Sequence, residues 1–101
     1  MEARARTVVL DTVAQDSVDS ACDKWEGAEQ CWRAIEWALC RDPFGAGVAM
    51  SDSGKLRALH YDGARSINQP DVDVIYEVTE HAIIIKDAVF TDAKATRAGY
   101  A

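Results

Sequence analysis

The chain has 101 residues, of which 49% are hydrophobic and 28% are charged, and its formal net charge is −6. This length is close to the commonest size of a single domain, and this balance of apolar and charged residues is typical of globular rather than disordered proteins. Because phosphate neutralisation requires a basic surface, the acidic balance argues against direct binding of nucleic acid. We therefore predict one folded domain over residues 1–101.

Targeting and metal-binding patterns are both missing from the sequence. No apolar run approaches the roughly 18 residues that a membrane-spanning helix needs, and the charged N-terminal residues are not followed by the apolar stretch of a signal peptide. We therefore expect a cytoplasmic protein without a membrane partner. Cys22, Cys31 and Cys40 form neither a CxxC pair nor a Cys/His zinc pattern. They are predicted to be reduced and to act as small apolar residues, and no metal or cofactor is expected.

The first predicted elements are a short strand and a helix. Residues Thr7–Leu10 are apolar and β-branched, which favours a strand. Thr12 and Gln15 have the spacing of a capping box, so a helix is predicted to begin at Thr12 and to end near Gly27. Its apolar residues recur at spacings of three and four, at Val18, Ala21, Cys22 and Trp25.

A second amphipathic helix is predicted to follow. Trp37 falls outside its apolar stripe, so this side chain is expected to cover a neighbouring element or a partner. Pro43 and Gly45 should end the helix, because the residue before a proline is pushed out of the helical region. The apolar stripe consists of Ala28, Cys31, Trp32, Ile35, Ala38 and Leu39.

After Gly47 the apolar period changes from about 3.6 to 2, which predicts strands. Residues 48–51 and 55–61 flank Gly54, whose freedom to adopt a positive φ suits a tight hairpin. Residues 62–70 are rich in turn-forming residues and are predicted to be a loop.

Two further strands are predicted in the last third of the chain. In residues 71–79 apolar and polar side chains alternate, and residues 82–90 are apolar on both faces. Residues 91–101 are predicted to be a tail that is either a short helix or disordered. The whole order predicts an α+β fold, in which two N-terminal helices pack on a twisted, mainly antiparallel β-sheet.

These segments together resemble the RelE/ParE toxin superfamily, the toxin half of many bacterial type II toxin–antitoxin pairs. The resemblance covers about residues 7–92 and implies the same helix-then-sheet layout. The matching residues are Asp42-Pro43 with Gly45, Gly54-Lys55-Leu56-Arg57 with Leu59, Val74-Ile75-Tyr76-Glu77-Val78, and Ile83-Ile84-Ile85.

RelE-like members cleave messenger RNA on the ribosome, which requires cations for the phosphate and a base for the ribose hydroxyl. Asp73 occupies a position where the family commonly has arginine, and residues 89–92 replace its terminal His, Tyr or Arg cluster. An endoribonuclease would have to use Lys55, Arg57 and His60 as its catalytic residues. We therefore predict no catalytic site, although the ribosome-dependent endoribonuclease stays open as an alternative.

The leading hypothesis is a ParE-like or degenerate toxin that acts by protein–protein interaction, with DNA gyrase or the ribosome as its target. A cognate antitoxin would neutralise it through an amphipathic segment. A non-toxic folded homologue with an oligomeric role, such as a homodimer, is the third alternative. The residues predicted to bind a partner are Trp37, Arg57, Arg65, Asp73, Glu77 and Lys86.

Two polar groups allow a structural interpretation beside the functional one. His60 is either an acid–base group or a strand residue satisfied by a carboxylate such as Asp73. Asp73 and Glu77 would lie about 13 Å apart on one strand, too far for joint chemistry. We expect them to be solvated or to form salt bridges with Lys86 and Arg57.

Overall fold

A computed structural model describes residues 6–93 of the chain. The prediction for the tail therefore lies largely outside the described residues, although Thr91 still belongs to the last strand. The elements in chain order are β1 (Thr7–Leu10), α1 (Thr12–Lys24), α2 (Ala28–Arg41), α3 (Pro43–Ala46), β2 (Val48–Ala49), β3 (Leu56–Tyr61), a 3₁₀ turn (Arg65–Ile67), β4 (Asp71–Val78) and β5 (Ala82–Thr91).

Within residues 6–93, five strands form one sheet in the order β1-β5-β4-β3-β2. β1 runs parallel to β5, and every other neighbouring pair is antiparallel. The helices that connect β1 to the rest of the sheet pack on one side of it, which confirms the predicted α+β fold with a mainly antiparallel sheet. None of the helices in this part of the chain has the length and hydropathy needed to cross a membrane.

The N-cap of α1 differs from the prediction by one residue, and its C-terminal end differs by about three. Asp11, not Thr12, is the N-cap, because its backbone is extended and its carboxylate accepts the N–H of Ala14 at 3.1 Å. The helix ends at Lys24 rather than near Gly27. Gly27 instead precedes α2, and its N–H donates to the carbonyl of Asn68 at 2.9 Å.

The predicted end of α2 is confirmed, but the chain then forms one further helical turn. Asp42 caps this turn by accepting the N–H of Gly45 at 3.0 Å, and Pro43 stands at its first position, where no N–H is needed. The strand predicted over residues 48–51 is shorter than expected and comprises only Val48–Ala49. The tight turn after it has Gly54 at φ 76°, as predicted.

The core lies between the helices and one face of the sheet. Tyr76 is fully buried, and its hydroxyl donates to the carbonyl of Pro43 at 2.6 Å, which ties α3 to β4. Trp25 and Trp32 are also buried as predicted, and both rings contact Phe90. The other large side chains of this core are Val18, Ile35, Leu39, Val72, Val74, Val78, Ile83 and Ile85.

The cysteines fall into three environments. Cys31 is buried in the core, and burial raises the pKa of its thiol to about 11, so it is a neutral apolar residue as predicted. Cys40 is half-buried, but Cys22 is exposed, which contradicts its predicted place on the apolar stripe of α1. Ala14 occupies that stripe instead.

A bulge interrupts the pairing of β4 with β5. Tyr76 faces Ile85 while Ile75 faces Asp87, so Lys86 is an additional residue without a partner in the register. The apolar alternation of β5 therefore shifts by one position, from Ile83 and Ile85 before the bulge to Ala88 after it. As a result, the cation Lys86 and the carboxylate Asp87 lie next to each other near the middle of the sheet.

Candidate functional site

The face of the sheet opposite the helices, here called the open face, carries half of the candidate residues. Val72, Val74, Tyr76 and Val78 of β4 point toward the helices, so the intervening residues of β4 point away from them. Residues paired across antiparallel strands share a side of the sheet. The pairing therefore places on the open face Leu56, Ala58 and His60 of β3, Asp73, Ile75 and Glu77 of β4, and Ile84, Asp87 and Val89 of β5.

Large apolar side chains lie exposed on this face. Val9 of β1 and Val89 of β5 are 45% and 47% exposed. At the other end of the sheet, Val48 and Met50 are 73% and 52% exposed, and the pairing of Val48 with Ala58 puts it on the same side. The open face thus carries apolar surface at both of its edges.

His60 stands between two carboxylates at one end of this face. Its Nδ1 lies 2.7 Å from Asp73 and its Nε2 lies 2.8 Å from Asp62. The hydrogen bond with Asp73, followed by that with Asp62, raises the pKa of His60 above 6.5. The protonated imidazole can donate to both carboxylates at once, whereas the neutral ring can donate to only one. The predicted contact of His60 with the carboxylate of Asp73 is present.

Glu77 and Lys86 form the second polar pair of the open face. The Nζ of Lys86 lies 3.5 Å from a carboxylate oxygen of Glu77, which confirms the salt bridge predicted for these two residues. Regular alternation along β5 already places Lys86, two residues after Ile84, on the side of the sheet that Glu77 faces. Both side chains stay partly exposed, so the pair contributes little to stability.

Arg57 lies on the opposite side of β3, and its predicted salt bridge with Asp73 or Glu77 is wrong. It pairs with Tyr76, whose side chain faces the helices. Its guanidinium donates to three carbonyl oxygens, those of Phe44, Gly47 and Gly54, at 2.7–3.0 Å. Arg57 thus ties the hairpin turn to α3, and its side chain is committed to these contacts.

The three residues predicted for an endoribonuclease are therefore not gathered in one place. Arg57 and His60 point to opposite sides of β3, and Lys55 precedes the strand. His60 has both ring nitrogens occupied by carboxylates, which leaves neither nitrogen free to accept a proton from a substrate hydroxyl.

The six predicted partner-binding residues separate into different regions. Asp73, Glu77 and Lys86 share the open face. Trp37 is 62% exposed on the outer side of α2, where the guanidinium of Arg41 stacks 4.5 Å from its ring. Of the other two, Arg57 lies on the helix side of β3 and Arg65 lies in the 3₁₀ turn.

Two features of the site were missed from the sequence. Asp62 completes the environment of His60, and the signal was available, because residues two apart on an extended chain point to the same side. The second is Phe44, whose ring centre lies 5.7 Å from the guanidinium carbon of Arg6 and 5.4 Å from that of Arg57. That cluster depends on the fold, because its members are far apart in sequence.

No protein-family model, curated protein or solved structure matches this chain. Its function is therefore inferred from the geometry of the site and from the sequence resemblance. Among residues 6–93, no group of three or more His, Cys, Asp or Glu side chains is placed to hold a metal ion.

Proposed function

We propose that this protein is the toxin-like component of a bacterial type II toxin–antitoxin pair, ParE-like or a degenerate relative, which acts in the cytoplasm by binding proteins. One observation carries the proposal: the open face exposes Val9, Val48, Met50 and Val89 on an otherwise acidic protein. Nothing within residues 6–93 covers this face, and a sheet face with exposed large apolar side chains is typical of a surface that a partner covers.

The chemistry of the open face indicates what its partner should look like. Asp73, Glu77 and Asp87 outnumber the cation Lys86 on this face, and two carboxylates already hold the imidazole of His60. The complementary antitoxin segment is amphipathic, with apolar side chains for the exposed valines and basic side chains for the carboxylates. Complete burial of one such valine contributes about 1.5–2 kcal/mol to binding.

Toxicity is tested by expressing the chain alone and together with the neighbouring small reading frame. We expect growth arrest in the first case and rescue in the second. DNA gyrase supercoiling and translation in extracts of the arrested cells then separate the two proposed targets. Normal growth at a high level of folded protein would contradict the toxin role.

A matched pair of variants tests the docking face. Val48→Glu places a charge on a two-residue edge strand at a 73% exposed position, and Val13→Glu does the same at a 62% exposed position on α1. Val48→Glu should weaken binding of the antitoxin by about tenfold or more, since it removes apolar contact and places a carboxylate where the apolar side chains of the antitoxin should pack. Val13→Glu should leave the affinity unchanged. Equal affinities for the two variants would place the antitoxin elsewhere.

A further inference from the structure

The outer edge of β5 is only half paired. β1 pairs with Ala82–Ile85 of β5 and then ends at Leu10, where the chain turns into α1. In the part of the chain that the structure describes, no strand lies beside residues 86–91 on this side. Backbone N–H and C=O groups along such an edge are ready to pair with another extended chain.

A groove of about 450 Å³ runs between this edge and α1. Its apolar lining comes from Ala21 and Trp25 of the helix side and from Ala88 and Phe90 of the strand. The strand edge that forms one wall of this groove offers backbone groups that an extended peptide, but not a helix, can pair with. Trp25 and Phe90 would contact the peptide's apolar side chains.

The charged side chains that line this groove indicate which kind of peptide it binds. Asp16 of α1 and Asp87 of β5 line it from opposite sides. The amine of Lys24, the cation that lines it, lies 4.6 Å from the ring of Trp25. A second copy of this chain, with its own net charge of −6, would bring further carboxylates to the same place. The groove therefore favours an extended segment that carries lysine or arginine.

We propose that a basic, extended segment of another protein adds as a strand to β5 along residues 86–91, with a cationic side chain between Asp16 and Asp87. This proposal goes beyond the role of the open face, since it requires neither toxicity nor an antitoxin. Main-chain hydrogen bonds would supply most of the affinity, and the two carboxylates would select the sign of the charge.

The probe for the test is the peptide acetyl-(Val-Arg)₃-amide, titrated into the isotopically labelled full-length chain. We expect saturable NMR shifts of the amides of residues 86–91 and of the Trp25 indole. The same peptide methylated at every backbone nitrogen keeps the charges but cannot donate to a strand, so it should not bind. An acidic peptide with glutamate in place of arginine should also fail. Equal binding of the methylated peptide, or shifts confined to β3 and β4, would overturn the proposal.

Charge-reversal variants test the groove itself. Asp16→Lys and Asp87→Lys should each weaken binding of the peptide by about fivefold. Asp52→Lys changes the net charge equally but lies in the hairpin turn, and it should leave binding within about twofold. Since Asp16 is exposed on α1, its variant keeps the test valid even if Asp87→Lys disturbs the sheet. Equal effects of Asp16→Lys and Asp52→Lys would show that only net charge matters.

Discussion

Replacing Tyr76 by phenylalanine removes one oxygen atom from the centre of the fold. The hydroxyl of Tyr76 is the donor to the carbonyl of Pro43 at 2.6 Å, and Tyr76 is 0% exposed. Burial raises the pKa of Tyr76, although Arg57 beside it acts in the opposite direction, so the hydroxyl keeps its proton and donates. Tyr76→Phe leaves the carbonyl of Pro43 in the core without this donor.

The magnitude follows from that geometry. A buried carbonyl that loses its partner costs about 1–3 kcal/mol, more than the net value of an average hydrogen bond. We take about 1.5 kcal/mol for Tyr76→Phe, because the ring itself stays in place. With an m value of about 1–2 kcal/mol/M in urea, the unfolding midpoint should fall by roughly 1 M.

Tyr61→Phe is the matched control for this experiment. The hydroxyl of Tyr61 donates to the side chain of Gln69 at 3.3 Å in a half-buried position that water can reach. Its removal should cost less than about 0.5 kcal/mol. Urea unfolding followed by tryptophan fluorescence measures both variants. If the two variants lost equal stability, the contact between α3 and β4 would not have the importance that its burial implies.

Two further predictions concern the cap of α1 and the pH dependence of the open face. Asp11→Ala should lower the free energy of unfolding by about 1 kcal/mol, whereas Thr12→Ala should change it little. If urea unfolding showed the larger loss for Thr12→Ala, Thr12 and not Asp11 would be the N-cap. Since the pKa of His60 is raised above 6.5 in the folded state, its contribution to stability is fully present below that pH and is lost as pH rises through the folded value. His60→Gln should remove this pH dependence of stability. NMR titration of the imidazole in the wild-type chain measures the pKa directly, and an unshifted pKa would refute the double contact with Asp62 and Asp73.

Local pattern was sufficient for much of the fold. The alternation over residues 71–79 predicted a strand with one buried face, and the structure buries Val72, Val74, Tyr76 and Val78. The apolar stripe of α2 and the end of that helix were also predicted correctly, because the apolar residues of an amphipathic helix recur every three or four positions in the sequence. The cap of α1 was misplaced by one residue, since Asp11 and Thr12 are both good caps and only the backbone conformation distinguishes them.

The site was predicted less well than the fold. His60 with Asp73, and Glu77 with Lys86, were correctly paired across strands. Arg57 was assigned to the wrong side of the sheet, although its spacing of three residues from His60 already requires opposite sides on a regular strand. Trp37, predicted to cover a neighbouring element or a partner, is 62% exposed, so its contact with a partner stays a prediction.

The sequence by itself determined where the two long helices and the longer strands lie and which face of β4 is buried, because those properties depend on neighbours a few residues apart. Only the tertiary structure decided that β1 pairs with the first half of β5, that a bulge places Asp87 on the same side of the sheet as Lys86, and that α1 and β5 enclose a groove. Strand order and register arise from contacts between residues tens of positions apart, and the periodicity of a single segment carries no information about them.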